Sequence, residues 1–156
     1  MLALTRASDV EVKWLGKASL FRGPMGPIMR RLGGIPVDRS APGGMVAALA
    51  AEFAAHERMA LIVPTEGTRS HTKYWKSGFY HIARQAGVPV VCGFVDGVTR
   101  TGGLGPVIDL TGDMGRDMDL FREFYVGKTG VRADRTGPVR LKEEDAGEAG
   151  TSAEPA

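Results

Sequence analysis

The stretch Pro64-Thr65-Glu66-Gly67-Thr68-Arg69-Ser70 constrains this chain more than any other. It follows Met59-Ala60-Leu61-Ile62-Val63, an apolar run with the length and bounds of a buried strand. It precedes a helical pattern that opens near Ser77-Gly78. A strand that ends at a Gly/Thr/Ser loop ahead of a helix is a common place for an anion site in an α/β protein. Gly67 has no Cβ, so the backbone there can approach a ligand closely. The hydroxyls of Thr68 and Ser70 can donate, and Arg69 offers a planar fork that matches phosphate or carboxylate oxygens. Glu66, acidic beside these donors, is suited to orienting Arg69 or a substrate hydroxyl. A lone Gly-Thr-Arg is more often a polar turn with an Arg–Glu surface pair, so the case depends on an upstream counterpart.

That counterpart is Gly33-Gly34-Ile35-Pro36-Val37-Asp38-Arg39. An apolar segment delivers an Asp-Arg pair just before a helix start at Pro42, which suits the first helical position. Arg39 can point at an anion at that helix N-terminus, with Asp38 holding its guanidinium. One such segment is equally a loop ion pair worth under about 1 kcal/mol. Two, each ending a strand with an arginine and an acid, predict a shared phosphate pocket. Arg39 and Arg69 would hold the anion, and Glu66, Gly67 and Thr68 would shape the pocket. Lys17, at a glycine turn, is within reach of a phosphate, although a solvated surface lysine is the plainer account.

The rest of the chain supplies alternating strands and helices. Val10, Val12 and Trp14 alternate with Glu11 and Lys13, which predicts a half-exposed strand ending at a Gly16-Lys17 turn. Short helical pieces follow at 18–21 and 28–32, the second closed by Gly33-Gly34. The proline in Ile35-Pro36-Val37 predicts an edge strand. Helices are expected over 42–56, 79–86 and 113–125, and strands over 59–63, 88–95 and 107–111, with a glycine-rich turn region at 96–105. The expectation is a single α/β domain over residues 1–126, with a mixed or mostly parallel central sheet flanked by helices. From Gly127 the apolar periodicity is lost, so 127–156 is expected to be a largely disordered tail, most of all its acidic, Gly/Ala-rich end from Glu143.

Composition narrows the function classes. A net charge of +2, with no basic run interleaved with aromatics, argues against nucleic acid. The single cysteine, Cys92, excludes an internal disulfide framework and reads as a buried small hydrophobe; a reducing compartment fits. No acid cluster has metal-ligand spacing, and no Gly-x-x-x-x-Gly-Lys-Ser/Thr loop is present for a nucleotide. That ranks a phosphatase-like or nucleotide-binding enzyme low. No apolar run reaches the roughly 18 residues of a membrane-spanning helix. Met1-Leu2-Ala3-Leu4 has no basic lead and is not a signal peptide.

With these blocks in place, the chain resembles the glycerolipid acyltransferases, the family that acylates 1-acylglycerol-3-phosphate and related lysophospholipids. Residues 33–39 are similar to that family's acceptor-binding block, and residues 63–70 to its Phe-Pro-Glu-Gly-Thr-Arg-Ser block. Gly87-Val88-Pro89-Val90-Val91 is similar to its Val-Pro-hydrophobic strand. Lys73, Lys76 and Gly78 fall where members carry a lysine and glycine after Arg-Ser. Thr65 is a departure, standing between Pro64 and Glu66 where many members have Pro-Glu directly. The resemblance covers residue 2 to about residue 125. It implies transfer of a fatty acyl group from acyl-CoA or acyl carrier protein, as co-substrate, to a lysophospholipid or glycerol-phosphate hydroxyl, with no other cofactor. It also implies a lipid substrate and a cytoplasmic protein in peripheral contact with the inner face of a membrane. Leu20, Phe21 and Met25 are the surface on which that contact is expected.

The resemblance further implies a His-(four residues)-Asp motif, in which histidine is the general base on the acceptor hydroxyl and aspartate fixes its tautomer. Five positions after His56 stands Leu61, after His71 Lys76, and after His81 Ala86, so no histidine here fits. The family places the motif before the strand that starts near Val10. The chain therefore resembles a member whose sequence begins after it, and residues 1–7, helical in pattern but lacking an N-cap, agree. His71, beside the anion-binding stretch, is a weak substitute, since a solvated loop histidine is the simpler account. His81 is expected to be packed, and His56 to end a helix, where a cation suits the dipole. Little or no turnover is expected of this polypeptide. The alternative is a non-catalytic phosphate- or lipid-binding relative that acts through a partner.

Overall fold

A computed structural model describes residues 10–37, 44–67 and 71–145. It divides the chain into two compact units, Met1–Pro64 and Thr65–Ala156. The first is built on a parallel three-stranded sheet. Strand β1 (Glu11–Lys17) lies in the centre, with β2 (Gly34–Val37) on one side and β3 (Met59–Ile62) on the other. Each crossover is helical, as a parallel connection requires. A 3-10 helix (Ala18–Phe21) and helix α1 (Gly26–Arg31) join β1 to β2, and α2 (Gly44–Ala55) precedes β3. Pro36 sits in the edge strand β2, where its missing N–H costs no inner ladder bond. The expected turn at Gly16-Lys17 is instead the end of β1, because Gly16 and Lys17 pair with Pro36 and Val37.

Phe21 anchors this unit. A Cβ on Gly16 or on Gly34 would come within 2.8 Å of its ring, so both glycines make room for it. Gly33 takes φ +80 between α1 and β2, a left-handed turn that favours glycine. The Trp14 ring lies 6.0 Å from that of Phe21, and Trp14 Nε1 donates to the Leu32 carbonyl at 3.0 Å.

The second unit contains α3 (Gly78–Ala86), β4 (Val90–Asp96), β5 (Thr101–Ile108) and α4 (Met114–Tyr125). Strands β4 and β5 form an antiparallel hairpin. The glycine-rich stretch expected as a turn is therefore mostly strand, and the strand expected over 107–111 ends at Ile108. The turn is confined to 97–100, where Asp96 Oδ1 accepts from the amides of Val98 (2.8 Å) and Thr99 (3.0 Å). The strand glycines serve packing: a Cβ on Gly105 would meet the Phe124 ring at 2.2 Å, and one on Gly103 would sit 3.4 Å from Phe94.

Trp75, Phe79, Ile82, Cys92, Met118, Phe121 and Leu141 form the core of this unit. Its aromatic rings meet edge to face, Phe79 with Phe121 at 5.6 Å and Trp75 with Tyr125 at 5.4 Å. Residues 127–145 are expected as the start of a disordered tail; residues 131–134 are exposed, but the end of the segment packs. Leu141 is completely buried, Trp75 N donates to the Arg140 carbonyl at 2.8 Å, and Arg122 reaches Glu144 at 2.8 Å. Residues 146–156 lie outside the described residues.

Asp117, fully buried in the first turn of α4, ties three segments together. It accepts from Thr111 N (3.0 Å), Thr111 Oγ1 (2.7 Å), Gly112 N (3.1 Å) and Tyr80 Oη (2.8 Å). Burial pushes its carboxyl up, but these hydrogen bonds outweigh burial and hold it below the usual range. Burial, followed by the Asp117 hydrogen bond, pushes the Tyr80 phenol up to about 12. Asp117→Ala removes about 3 kcal/mol of stability in urea unfolding at pH 7, because Tyr80 Oη and the 111–112 amides lose a charged acceptor. A carboxylate lowered on folding stabilises above its unfolded pKa, and that stability disappears as pH falls through the folded value. The gap between wild type and variant therefore closes as pH falls from about 5 toward about 2. A constant gap across that range would show that the charge has no part in it.

Candidate functional site

The parallel register of the first unit brings the carboxyl ends of β1 and β2 together. Lys17 and Val37 are paired at the carboxyl ends of β1 and β2, whereas β3 ends three residues earlier along β1, with Ile62 paired to Trp14. In open α/β sheets, ligands bind outside the carboxyl ends of the strands. Lys17, exposed, stands at that end, and the Asp38-Arg39 pair follows β2 directly in the chain. Asp38, Arg39, Thr68, Arg69 and Ser70 themselves lie outside the described residues.

In the second unit the loop ahead of α3 is held on both flanks of its arginine. Gly67 takes φ +64, a left-handed conformation that favours glycine, and a Cβ there would come within 3.1 Å of Lys76 Cγ. The stem of Lys76 thus covers Gly67, and Lys76 N donates to the Thr65 carbonyl at 2.7 Å, closing the loop on itself. Thr72 Oγ1 donates to the Tyr74 carbonyl at 2.9 Å, and the Lys73 ammonium lies 5.4 Å from the Tyr74 ring centroid.

Residues 136–145, which fall in the expected tail, strap this loop down. Glu66 Oε1 accepts from the Gly137 amide at 3.2 Å. Gly137 packs so tightly that a Cβ on it would meet the Thr72 carbonyl oxygen at 2.2 Å. Trp75 bridges Leu141 in parallel, Tyr74 Oη donates to Asp145, and Ser77 Oγ donates to Glu143. The Tyr74 hydrogen bond, with Arg140 2.7 Å away, holds the Asp145 carboxyl below its ordinary value. Glu66, expected to orient Arg69 or a substrate hydroxyl, thus makes a backbone anchor to the strap. Residues 136–145 carry little sequence signal, because Val139 and Leu141 are too few apolar residues in a polar stretch to establish a period.

The histidines fall as follows. His71 is exposed on the loop. His81 is exposed on α3, not packed as expected, because Phe79, Tyr80, Ile82 and Ala83 occupy the inward positions of that short helix. His56 follows α2; its Nδ1 lies 2.8 Å from the Glu52 carbonyl oxygen, and its Nε2 is 3.8 Å from the Glu11 carboxylate. Glu11 and Met59, the first residues of β1 and β3, are paired, so His56 sits at the amino end of the parallel sheet. Lys17 stands six residue steps along β1 from Glu11, about 20 Å. His56 is therefore remote from an anion bound at the carboxyl end.

A family model described as Acyltransferase matches residues 1–94 of the 156. No curated protein and no solved structure matches the chain. The match runs from the N-terminus into β4 and takes in both arginine blocks, while β5, α4 and the strap lie beyond it. Because it spans more than half of the chain, the chain belongs to the acyltransferase family.

Proposed function

We propose that this chain takes part in transfer of a fatty acyl group from acyl-CoA or acyl carrier protein to the hydroxyl of a lysophospholipid or glycerol phosphate. The observation that carries the acceptor assignment is the parallel register, which sends Lys17 and the chain leading to Arg39 to one end of the sheet. Arg39 and Arg69 each engage the acceptor phosphate through charge-assisted hydrogen bonds. Thr68 adds a hydroxyl donor, Gly67 permits close approach, and Glu66, through its bond to Gly137, fixes the start of the loop. Transfer itself needs a base on the attacking hydroxyl. The 156-residue polypeptide holds no His-(four residues)-Asp, so it binds the acceptor and turns over slowly. The same absence favours, as second reading, a phosphate- or lipid-binding relative that acts through a partner.

Isothermal titration with lysophosphatidate tests the acceptor assignment. The purified chain is expected to bind it and to ignore monoacylglycerol, which lacks the phosphate. Arg39→Gln and Arg69→Gln each weaken binding by roughly tenfold to a hundredfold, the worth of a hydrogen bond to a charged group. Equal affinity for the two lipids, or variants that bind as wild type does, would overturn it.

A further inference from the structure

Strands β4 and β5 carry no charged residue between Val90 and Val95 or between Gly102 and Ile108. One side of their hairpin is accounted for by the core. Cys92 and Ile108 are buried there, and Phe94 meets the Phe124 ring of α4 edge to face at 5.9 Å. The other side carries Val91, Gly93 and Val95 on β4, opposite Val107, Leu104 and Gly102 on β5. Val91 is 47 % exposed, Val95 64 %, Leu104 70 % and Val107 60 %. An antiparallel sheet with one face on the core normally turns polar residues outward. Here the outward positions hold no polar side chain, and a contiguous apolar face of this kind marks an interaction site.

The ends of the hairpin say what fits it. Arg100 directly precedes β5 and Asp109 directly follows it. Both are exposed, and neither has an ion-pair partner among the described residues. Gly93 and Leu104 are paired at the middle of the face. In paired positions, Val91 and Val107 lie two steps to one side of them, and Val95 and Gly102 two steps to the other. The shift in pairing between Val91 and Gly93 absorbs one extra residue of β5, so Arg100 and Asp109 each lie four steps from the middle, at opposite ends.

That spacing is self-complementary. Two such faces can be related by a two-fold axis that lies between them and runs across the strands. Arg100 of each copy then meets Asp109 of the other. Leu104 meets Leu104, Val91 meets Val95, and Val107 falls over Gly102, which has no side chain to obstruct it. An axis along the strands would instead bring like charges to the same end. An anionic lipid surface is a poorer match, because the two ends carry one cation and one acid.

We infer that the outer face of the β4–β5 hairpin docks on the same face of a second copy of this chain, forming a two-fold pair of stacked sheets closed at both ends by Arg100 and Asp109. Strands of seven and eight residues give a narrower face than the roughly 800 Å² that each partner gives to a standard interface, so the dimer is weak and reversible. None of these residues belongs to the acceptor site.

Sedimentation equilibrium of the purified chain, without lipid, tests it. The average mass is expected to rise from that of one chain toward that of two between about 1 µM and about 1 mM. Leu104→Asp lowers the association constant at least about a hundredfold, because it sets two carboxylates against each other in an apolar contact. Arg100→Asp lowers it roughly tenfold, more at low salt than at high, as two attractions become repulsions. Arg100→Asp/Asp109→Arg returns it to near the wild-type value, since the exchanged charges oppose each other again. Aspartate tolerates the left-handed φ of +55 that Arg100 adopts, so the swap leaves the turn intact. Circular dichroism checks the fold of Leu104→Asp, and the charge swap, outside the strand, decides the matter if that variant unfolds. Four results overturn the dimer: a chain that is monomeric throughout, an association that folded Leu104→Asp leaves unchanged, a double swap no stronger than Arg100→Asp, or open-ended assembly beyond two copies. With no lipid present, none of these results bears on the acceptor assignment.

Discussion

Joining a His-(four residues)-Asp segment from an active family member ahead of residue 1 raises acylation of lysophosphatidate by about a thousandfold over the 156-residue chain. A positioned general base contributes about a hundredfold to ten-thousandfold, and none of the three histidines in the sequence has an aspartate five positions after it. His71 and His81 are exposed, and His56 stands at the amino end of the sheet, beside Glu11. The control replaces the added histidine by alanine, which returns the rate to that of the parent chain while lysophosphatidate binding stays. Two results would refute the account. A parent chain that already turns over at an ordinary enzyme rate would mean that its own residues supply the base. A joined protein that binds acceptor yet gains no rate would favour the binding relative.

Leu141→Ala lowers stability by about 3 kcal/mol and loosens the loop ahead of α3. Leu141 is completely buried and bridged to Trp75, so its removal leaves a cavity that the surrounding rings fill only in part. The strap that reaches Glu66 and Thr72 runs through Gly137, four residues before Leu141. The expected readouts are a lower urea midpoint and a red-shifted Trp75 emission as water reaches the indole. Amide hydrogen exchange quickens at Lys76, whose amide bonds to the Thr65 carbonyl. A cost below about 0.5 kcal/mol, the usual effect of a surface change, would mean that the strap is not part of the unit.

The same contrast separates what was legible in the chain from what was not. Helix α3 and its end at Gly87 followed from spacing and punctuation, and Gly87 takes the left-handed φ of +65 that such a stop requires. The edge position of β2 followed from Pro36, and the burial of Cys92 from its apolar run. The start of β5 did not follow. Gly102, Gly103 and Gly105 signal a turn locally, but beside Phe94 and Phe124 they are the residues small enough for a strand.

By itself, the sequence determined the α/β alternation, the two arginine blocks, the family they resemble and the absence of a His-(four residues)-Asp. All of these are patterns over a few neighbouring residues. Only the tertiary structure decided that residues 136–145 clamp the loop bearing Glu66, that the pairing partner of Lys17 is Val37, and that Phe21 turns inward while Leu20 and Met25 turn out. The physical reason is range. Propensity and periodicity act over one or two turns of chain, whereas the burial of Leu141 against Trp75 joins residues 66 positions apart. Val139 and Leu141, two apolar side chains in a polar stretch, are too short a pattern for such a contact to be read from it.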